Sequence, residues 1–208
     1  MVTPWRYQQP ACPFLPHPAD SATKQSAGEK TGLQALIPRI VRRRTEERLS
    51  PMKRRDFLEK WGLAGLKINR GFLEGEFAPC DPDRAAAWEL YIELLTRVAT
   101  QYLPPEDGDE KSALDSVYAI FKETREVLRR HGSGCGEFAK LAIPVLNQII
   151  RPFTAKWHRL SLAGAFQDAA RCREFRTELA AFQPKLRNYT RALAAMAEVE
   201  DLTTLEGD

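Results

Sequence analysis

Apolar positions recur at steps of three and four through most of the chain after residue 80, and they outline four long helices. The first carries Trp88, Tyr91, Ile92, Leu95, Val98, Ala99 and Tyr102 on one expected core face. Its start is spelled Cys80-Asp81-Pro82-Asp83. Asp81 is the expected N-cap, Pro82 takes the first helical position, where no N–H is needed, and Asp83 suits the positive end of the helix. Pro104-Pro105 is expected to end it. In the second helix the same steps run through Leu114, Val117, Tyr118, Phe121, Thr124 and Leu128. Asp109 or Ser112 is its expected cap, Arg129 and Arg130 suit its negative end, and Gly132 stops it.

The third helix lies within Gly134–Phe166, the most apolar long segment of the chain, with Phe138, Leu141, Ala142, Val145, Leu146, Ile149, Phe153, Trp157 and Leu160 as its core side. Pro144 and Pro152 fall inside that pattern, and each removes one backbone hydrogen bond. The apolar phase continues across both, which predicts kinks rather than a break. The fourth helix repeats Cys172, Phe175, Leu179, Phe182, Leu186, Tyr189, Leu193 and Met196 without a lapse, the narrow stripe of a helix packed at coiled-coil geometry. Pro184 falls on its outward side. Short connections make consecutive helices antiparallel neighbours. The expected fold is all-α: an antiparallel up-down four-helix bundle over residues 52–200, with a flexible C-terminus at 201–208.

Before residue 52 the pattern changes. Prolines at positions 4, 10, 13, 16 and 18 and a polar run from Asp20 to Thr31 leave too little apolar surface to offset the entropy of ordering. Residues 1–51 are therefore expected to form a disordered, Pro-rich and basic arm, with one short amphipathic stretch from Leu33 to Leu49 interrupted by Pro38. Met52, where ordered-looking sequence begins, is the expected native start. Arg54-Arg55-Asp56-Phe57-Leu58 has the outline of a twin-arginine export signal, but Lys60, Lys67 and Arg70 interrupt the apolar stretch that must follow. A short helix near 52–61 and an irregular or extended segment up to Pro79 are expected to pack on the bundle, because Gly62, Gly65, Gly71 and Gly75 weaken any longer helix.

Charge divides the chain in the same place. Residues 1–60 hold 12 Lys+Arg against 6 Asp+Glu, leaving 19 against 22 in the remainder of a 208-residue chain of net charge +3. A slightly acidic body is poorly suited to a phosphate backbone, so nucleic acid is a candidate partner only for the basic run 39–55 or for the candidate chemistry of the third helix. The sequence has no apolar run of membrane-spanning length, about 20 residues, and no membrane contact is expected. Cys12, Cys80, Cys135 and Cys172 lie far apart in sequence and form no metal-binding spacing, which predicts reduced thiols, a cytoplasmic location and neither metal nor cofactor.

The candidate chemistry sits on the third helix. Asn147, Arg151, Thr154 and His158 are spaced four, three and four, an expected outward stripe in which Arg151 could hold an anion and His158 could move a proton. Cys135, near a helix start, is a candidate for a lowered thiol pKa but has no base beside it in the sequence. No Glu-x-x-His pair supports a di-metal carboxylate bundle, and Gly132-Ser133-Gly134-Cys135-Gly136 lacks the lysine of a phosphate-binding loop. The run Arg151-Pro-Phe-Thr-Ala-Lys-Trp-His158 resembles the Arg-x(4–6)-His motif of the HEPN ribonucleases, which are helical bundles whose active site is usually completed across a dimer. Arg125 and His131 match the same motif with five residues between them. The resemblance implies metal-independent RNA cleavage, with Arg151 stabilising a phosphate and His158 assisting proton transfer. The leading expectation is different: a non-enzymatic helical module for protein–protein interaction or self-association, its partner an unidentified protein or a second copy of the chain.

Overall fold

The computed structural model describes residues 52–104 and 107–204. The expectations for residues 1–51, including the Leu33–Leu49 stretch, lie outside them. The described residues are mostly helical, and none of their helices is long and apolar enough to cross a membrane.

A small cap opens the described chain. Strand β1 (Met52–Lys53) pairs antiparallel with β2 (Glu76–Phe77), in the register Met52↔Phe77 and Lys53↔Glu76. Between them lie helices α1 (Arg54–Lys60) and α2 (Arg70–Leu73), matching the expected short helix and irregular segment. Phe57 and Phe77 stack with ring centroids 3.9 Å apart, and both are buried. After α1 the chain turns at Gly62 (φ +65°), where a Cβ would come within 2.7 Å of the Asn188 side-chain nitrogen. The backbone angle requires glycine there, and the Asn188 amide would have to move to admit any side chain.

Helix α3 (Asp81–Leu95) departs from its sequence reading in three ways. Its N-cap is Cys80 rather than Asp81, and the capping carboxylate is that of Asp83, which accepts from the Cys80 N–H at 2.9 Å. The core face is Ala86, Ala87, Leu90, Tyr91 and Leu94, and of the expected stripe only Tyr91 and Ala99 are buried, while Trp88, Ile92 and Tyr102 are exposed. The helix also stops at Leu95, well before the prolines. The Thr100 hydroxyl donates to the Leu94 carbonyl and the Gln101 amide to that of Leu95, so side chains of the following turn satisfy the last carbonyls and replace further helix.

Helix α4 (Glu110–His131) starts as expected, with the Asp109 carboxylate accepting from the Ser112 N–H at 2.9 Å, and ends at Gly132 (φ +61°). It buries Ala113, Leu114, Val117, Ile120, Phe121, Thr124 and Val127 and leaves Tyr118 exposed.

The proline-marked segment is α5 (Gly136–Val145), one wide π turn (Leu146–Ile150) and α6 (Arg151–Leu162). In the wide turn the Arg151 N–H reaches back five residues to the Leu146 carbonyl. Pro152 cannot donate, and its ring would collide with the carbonyl four residues back, so the chain widens just before it instead of breaking. A wider turn advances each residue through a smaller angle, and the helix face slips. Ile150 is consequently buried where the unbroken pattern places Ile149.

Helix α7 (Ala169–Ala197) carries the seam as expected, with Phe175, Leu179, Phe182, Leu186, Tyr189, Leu193 and Met196 buried and Pro184 exposed; only Cys172, at its first turn, is half-buried. α3 packs on α7, α4 and α5, while α4 also packs on α6 and α7.

Candidate functional site

The sequence-predicted stripe is brought only partly together. Asn147 and Arg151 are exposed and linked, the amide oxygen accepting from Arg151 Nε at 3.1 Å and Nη2 at 2.9 Å. The guanidinium lies 5.2 Å from the Phe121 ring centre on α4. Thr154, expected outward, is buried, with its hydroxyl on the carbonyls of Ile150 and Arg151. His158 is half-buried, its ring edge-on to Tyr118 at 4.8 Å, and its Nε2 is enclosed without a hydrogen-bond partner. The slip at the π turn is the cause: past Ile150 the polar positions rotate toward α4. His131 does not join this group, since it contacts Glu89 through Nε2 at 2.9 Å beside the Arg130–Glu89 ion pair, and Arg125 is exposed.

A second constellation was invisible in the sequence. Asp83 is only 2% exposed, yet it carries a carboxylate shared by two helix starts. One oxygen accepts from the Cys80 N–H and thiol, both at 2.9 Å, and the other from the Phe138 N–H at 3.0 Å, in the first turn of α5. Cys80 and Cys135 are the N-cap residues of these two helices. The hydrogen bond to Asp83 raises the Cys80 thiol pKa, and burial raises that of Cys135, so the lowered thiol expected at Cys135 is replaced by its opposite. Only the spacing Cys80-x-x-Asp83, a capping-box pattern with cysteine in the first place, hinted at one half of this arrangement.

Next to it, Arg54 of α1 grips Glu137 of α5 with two hydrogen bonds of 2.7 and 2.6 Å, in a pair whose side chains are 16% and 12% exposed. Lys140 joins at 2.9 Å, and both cations lie over the Phe72 ring, at 4.9 and 5.7 Å. These side chains line an open depression together with Phe57, Leu58, Phe77 and Leu141. Lys53 and Arg55 pair with Glu74. The described end of the basic run is thus spent on ion pairs within the body, and residues 39–51 lie outside the described structure. Burial pushes the Glu137 carboxyl up, but the hydrogen bonds from Arg54 and Lys140 outweigh it and the net pKa is lowered. A lowered folded-state carboxyl contributes stability above its unfolded value, near 4.3, and loses it as pH falls through the folded value. Wild type is therefore expected to exceed Glu137→Gln in urea stability at pH 7, with the gap closing below about pH 4. A gap unchanged down to pH 2 would refute this.

The third feature is the outer side of α3. Trp88 and Ile92, one turn apart, are 43% and 42% exposed, with exposed Ala85 one turn before them. Charged neighbours along this stripe are already paired within the chain: Arg84 with Asp81 and Glu198, Glu89 with Arg130 and His131, Glu93 with Arg97. An apolar stripe on the outside of a helix already packed on its inside is the pattern of a helix covered on both sides. The signal is present in the sequence, because Ala86, Leu90 and Leu94 repeat at four-residue steps beside Trp88, Ile92 and Leu95.

Among the described residues no group of three His, Cys, Asp or Glu side chains could hold a metal ion. No family model, curated protein or solved structure matches this chain.

Proposed function

We propose that the chain is a non-enzymatic helical module of the cytoplasm that binds another protein or a second copy of itself through the Trp88–Ile92 side of α3. The observation that carries this reading is a large aromatic and a branched aliphatic side chain held outward on a rigid, charge-compensated helix, since tryptophan anchors dominate protein interfaces. The scaffold is an antiparallel up-down four-helix bundle of α3, α4, the α5–α6 rod and α7. Contacts that run in opposite order along neighbouring helices support it: Glu89 with Arg130, and Arg97 just past the end of α3 with Glu123, on the side of α4, while His158 on Tyr118 and Arg151 on Phe121 join α6 to α4. Gln183 of α7 donates to the Val98 carbonyl at 2.8 Å, just beyond the end of α3. Light scattering over a hundredfold concentration range tests the self-association arm, and co-purification from the native host tests the partner arm. Trp88→Glu with Ile92→Glu is expected to abolish whichever association is seen while leaving the circular dichroism intact. A wild-type monomer at all concentrations that retains no partner, or association unaffected by the double substitution, overturns the proposal.

A second reading, a HEPN-like ribonuclease, draws support from Arg151 and His158 both turning toward α4, with His158 Nε2 uncommitted. It expects RNA cleavage without added metal that is lost in His158→Ala. Cleavage equal in both proteins, or absent from both, removes it.

A further inference from the structure

Helix α7 ends by folding its own continuation back onto the body. Glu198, with φ +55°, is the only described residue other than glycine in the left-handed region. A glutamate side chain disfavours that conformation, so the bend depends on what the segment meets next. The segment Glu198–Thr203 lies across the junction of α3 and α7. Tyr91 of α3 reads its backbone through one atom: the hydroxyl accepts from the Leu202 N–H at 2.7 Å and donates to the Glu200 carbonyl at 3.1 Å. Two arginines hold its acids. Arg84 of α3 pairs with Glu198 at 3.0 Å, while Arg191 of α7 reaches the Asp201 carboxylate at 3.5 Å and the Thr203 hydroxyl at 3.0 Å. Val199 and Leu202, three residues apart, are half-buried and pack against the core. The junction also offers more than the segment uses. Arg84 Nε is enclosed and has no acceptor among the described residues, although Nη1 pairs with Asp81 and Nη2 with Glu198.

We propose that this junction is a docking site for an extended acidic segment of a partner protein with two apolar residues three positions apart, and that Glu198–Thr203 occupies it in cis until such a segment displaces it. The cis occupant defines the chemistry. A fixed hydroxyl reads two backbone groups whatever side chains they carry, two apolar side chains set the spacing, and two guanidinium groups select for acids. Residues 198–208 hold five acids and no base, in keeping with that selection. Tethering gives the cis segment an effective concentration of order mM, so a free peptide competes at a disadvantage that loosening the cis segment removes. The site is separate from association through Trp88 and Ile92, which the substitutions above read on their own.

The probe is a fluorescein-labelled peptide of residues 197–204, titrated with the full chain and followed by fluorescence anisotropy. With Val199→Ser and Leu202→Ser together, which loosen the cis segment, saturable binding is expected at least about tenfold tighter than to wild type. Adding Arg191→Glu should weaken it about tenfold. Raising the salt from about 0.05 to 0.3 M should weaken it as well. Wild type supplies a second measurement that needs no variant: excess unlabelled peptide should accelerate amide exchange of the chain's own residues 199–203, as Leu202 leaves the Tyr91 hydroxyl. If the loosened chain fails to fold, that exchange decides. No binding to a folded loosened chain, equal affinity for both chains, equal binding of a scrambled peptide, or unchanged exchange in wild type overturns the proposal. Oligomers that grow with concentration and are lost in Arg191→Glu would seat the same segment of a second copy, and would overturn the assignment to a partner protein.

Discussion

Trp157→Ala is expected to destabilise the protein by about 3–5 kcal/mol, the range for deleting a large aromatic side chain from a packed interior. Trp157 is fully buried, stacked on Phe166 with centroids 6.0 Å apart and edge-on to Phe175 at 5.1 Å. Phe153 continues the cluster by stacking on Phe182 at 4.6 Å, so α6 and α7 are joined through interlocking rings. Truncation would open a cavity among stiff neighbours that cannot collapse into it. It would also remove the indole N–H that donates to Glu178 at 2.9 Å; that carboxylate pairs as well with Lys156 and is open enough to solvent to recover part of the loss. Trp157→Phe, which keeps an aromatic ring but no donor, should fall between. Urea unfolding followed by circular dichroism measures both; a Trp157→Ala loss under about 1 kcal/mol would show that the cluster is not the centre of the core.

The second large effect is expected at Asp83. Replacing a single N-cap side chain costs about 0.5–2 kcal/mol, and Asp83 serves two helices at once. Asp83→Ala removes the acceptor of the Cys80 and Phe138 N–H groups together, while the exposed Cys80 thiol keeps the Gly134 carbonyl. A loss of about 2–4 kcal/mol is expected. Asp83→Asn retains one acceptor oxygen and should lose less. The cost should fall on both helix starts, so amide exchange ought to accelerate in the first turns of α3 and α5 together. Acceleration confined to α3 would mean that the bond to α5 contributes nothing.

Legibility from sequence differed between elements for physical reasons. The seam of α7 and the cap of α4 were readable because each depends on side chains within one helix or its next turn. The face of α3 was not readable. That helix is apolar on two sides, and periodicity alone cannot say which side meets the rest of the protein and which meets solvent. The stripe Asn147, Arg151, Thr154, His158 was drawn with a constant helical angle, and the π turn before Pro152 changed it; the proline was visible, but the turn that accommodates it was not. Asp83 looked like an ordinary first-turn carboxylate because its second contact is 55 residues away.

Periodicity, capping residues and turn glycines, all local, were enough to specify a helical protein, both ends of α4, and which side of α7 is apolar. Everything that makes a candidate site is long-range: the exposure of Trp88 and Ile92, the rotation of His158 against Tyr118, and the meeting of Cys80, Asp83 and Cys135. Those depend on how finished helices pack, and packing selects among several faces that the local pattern leaves nearly equivalent.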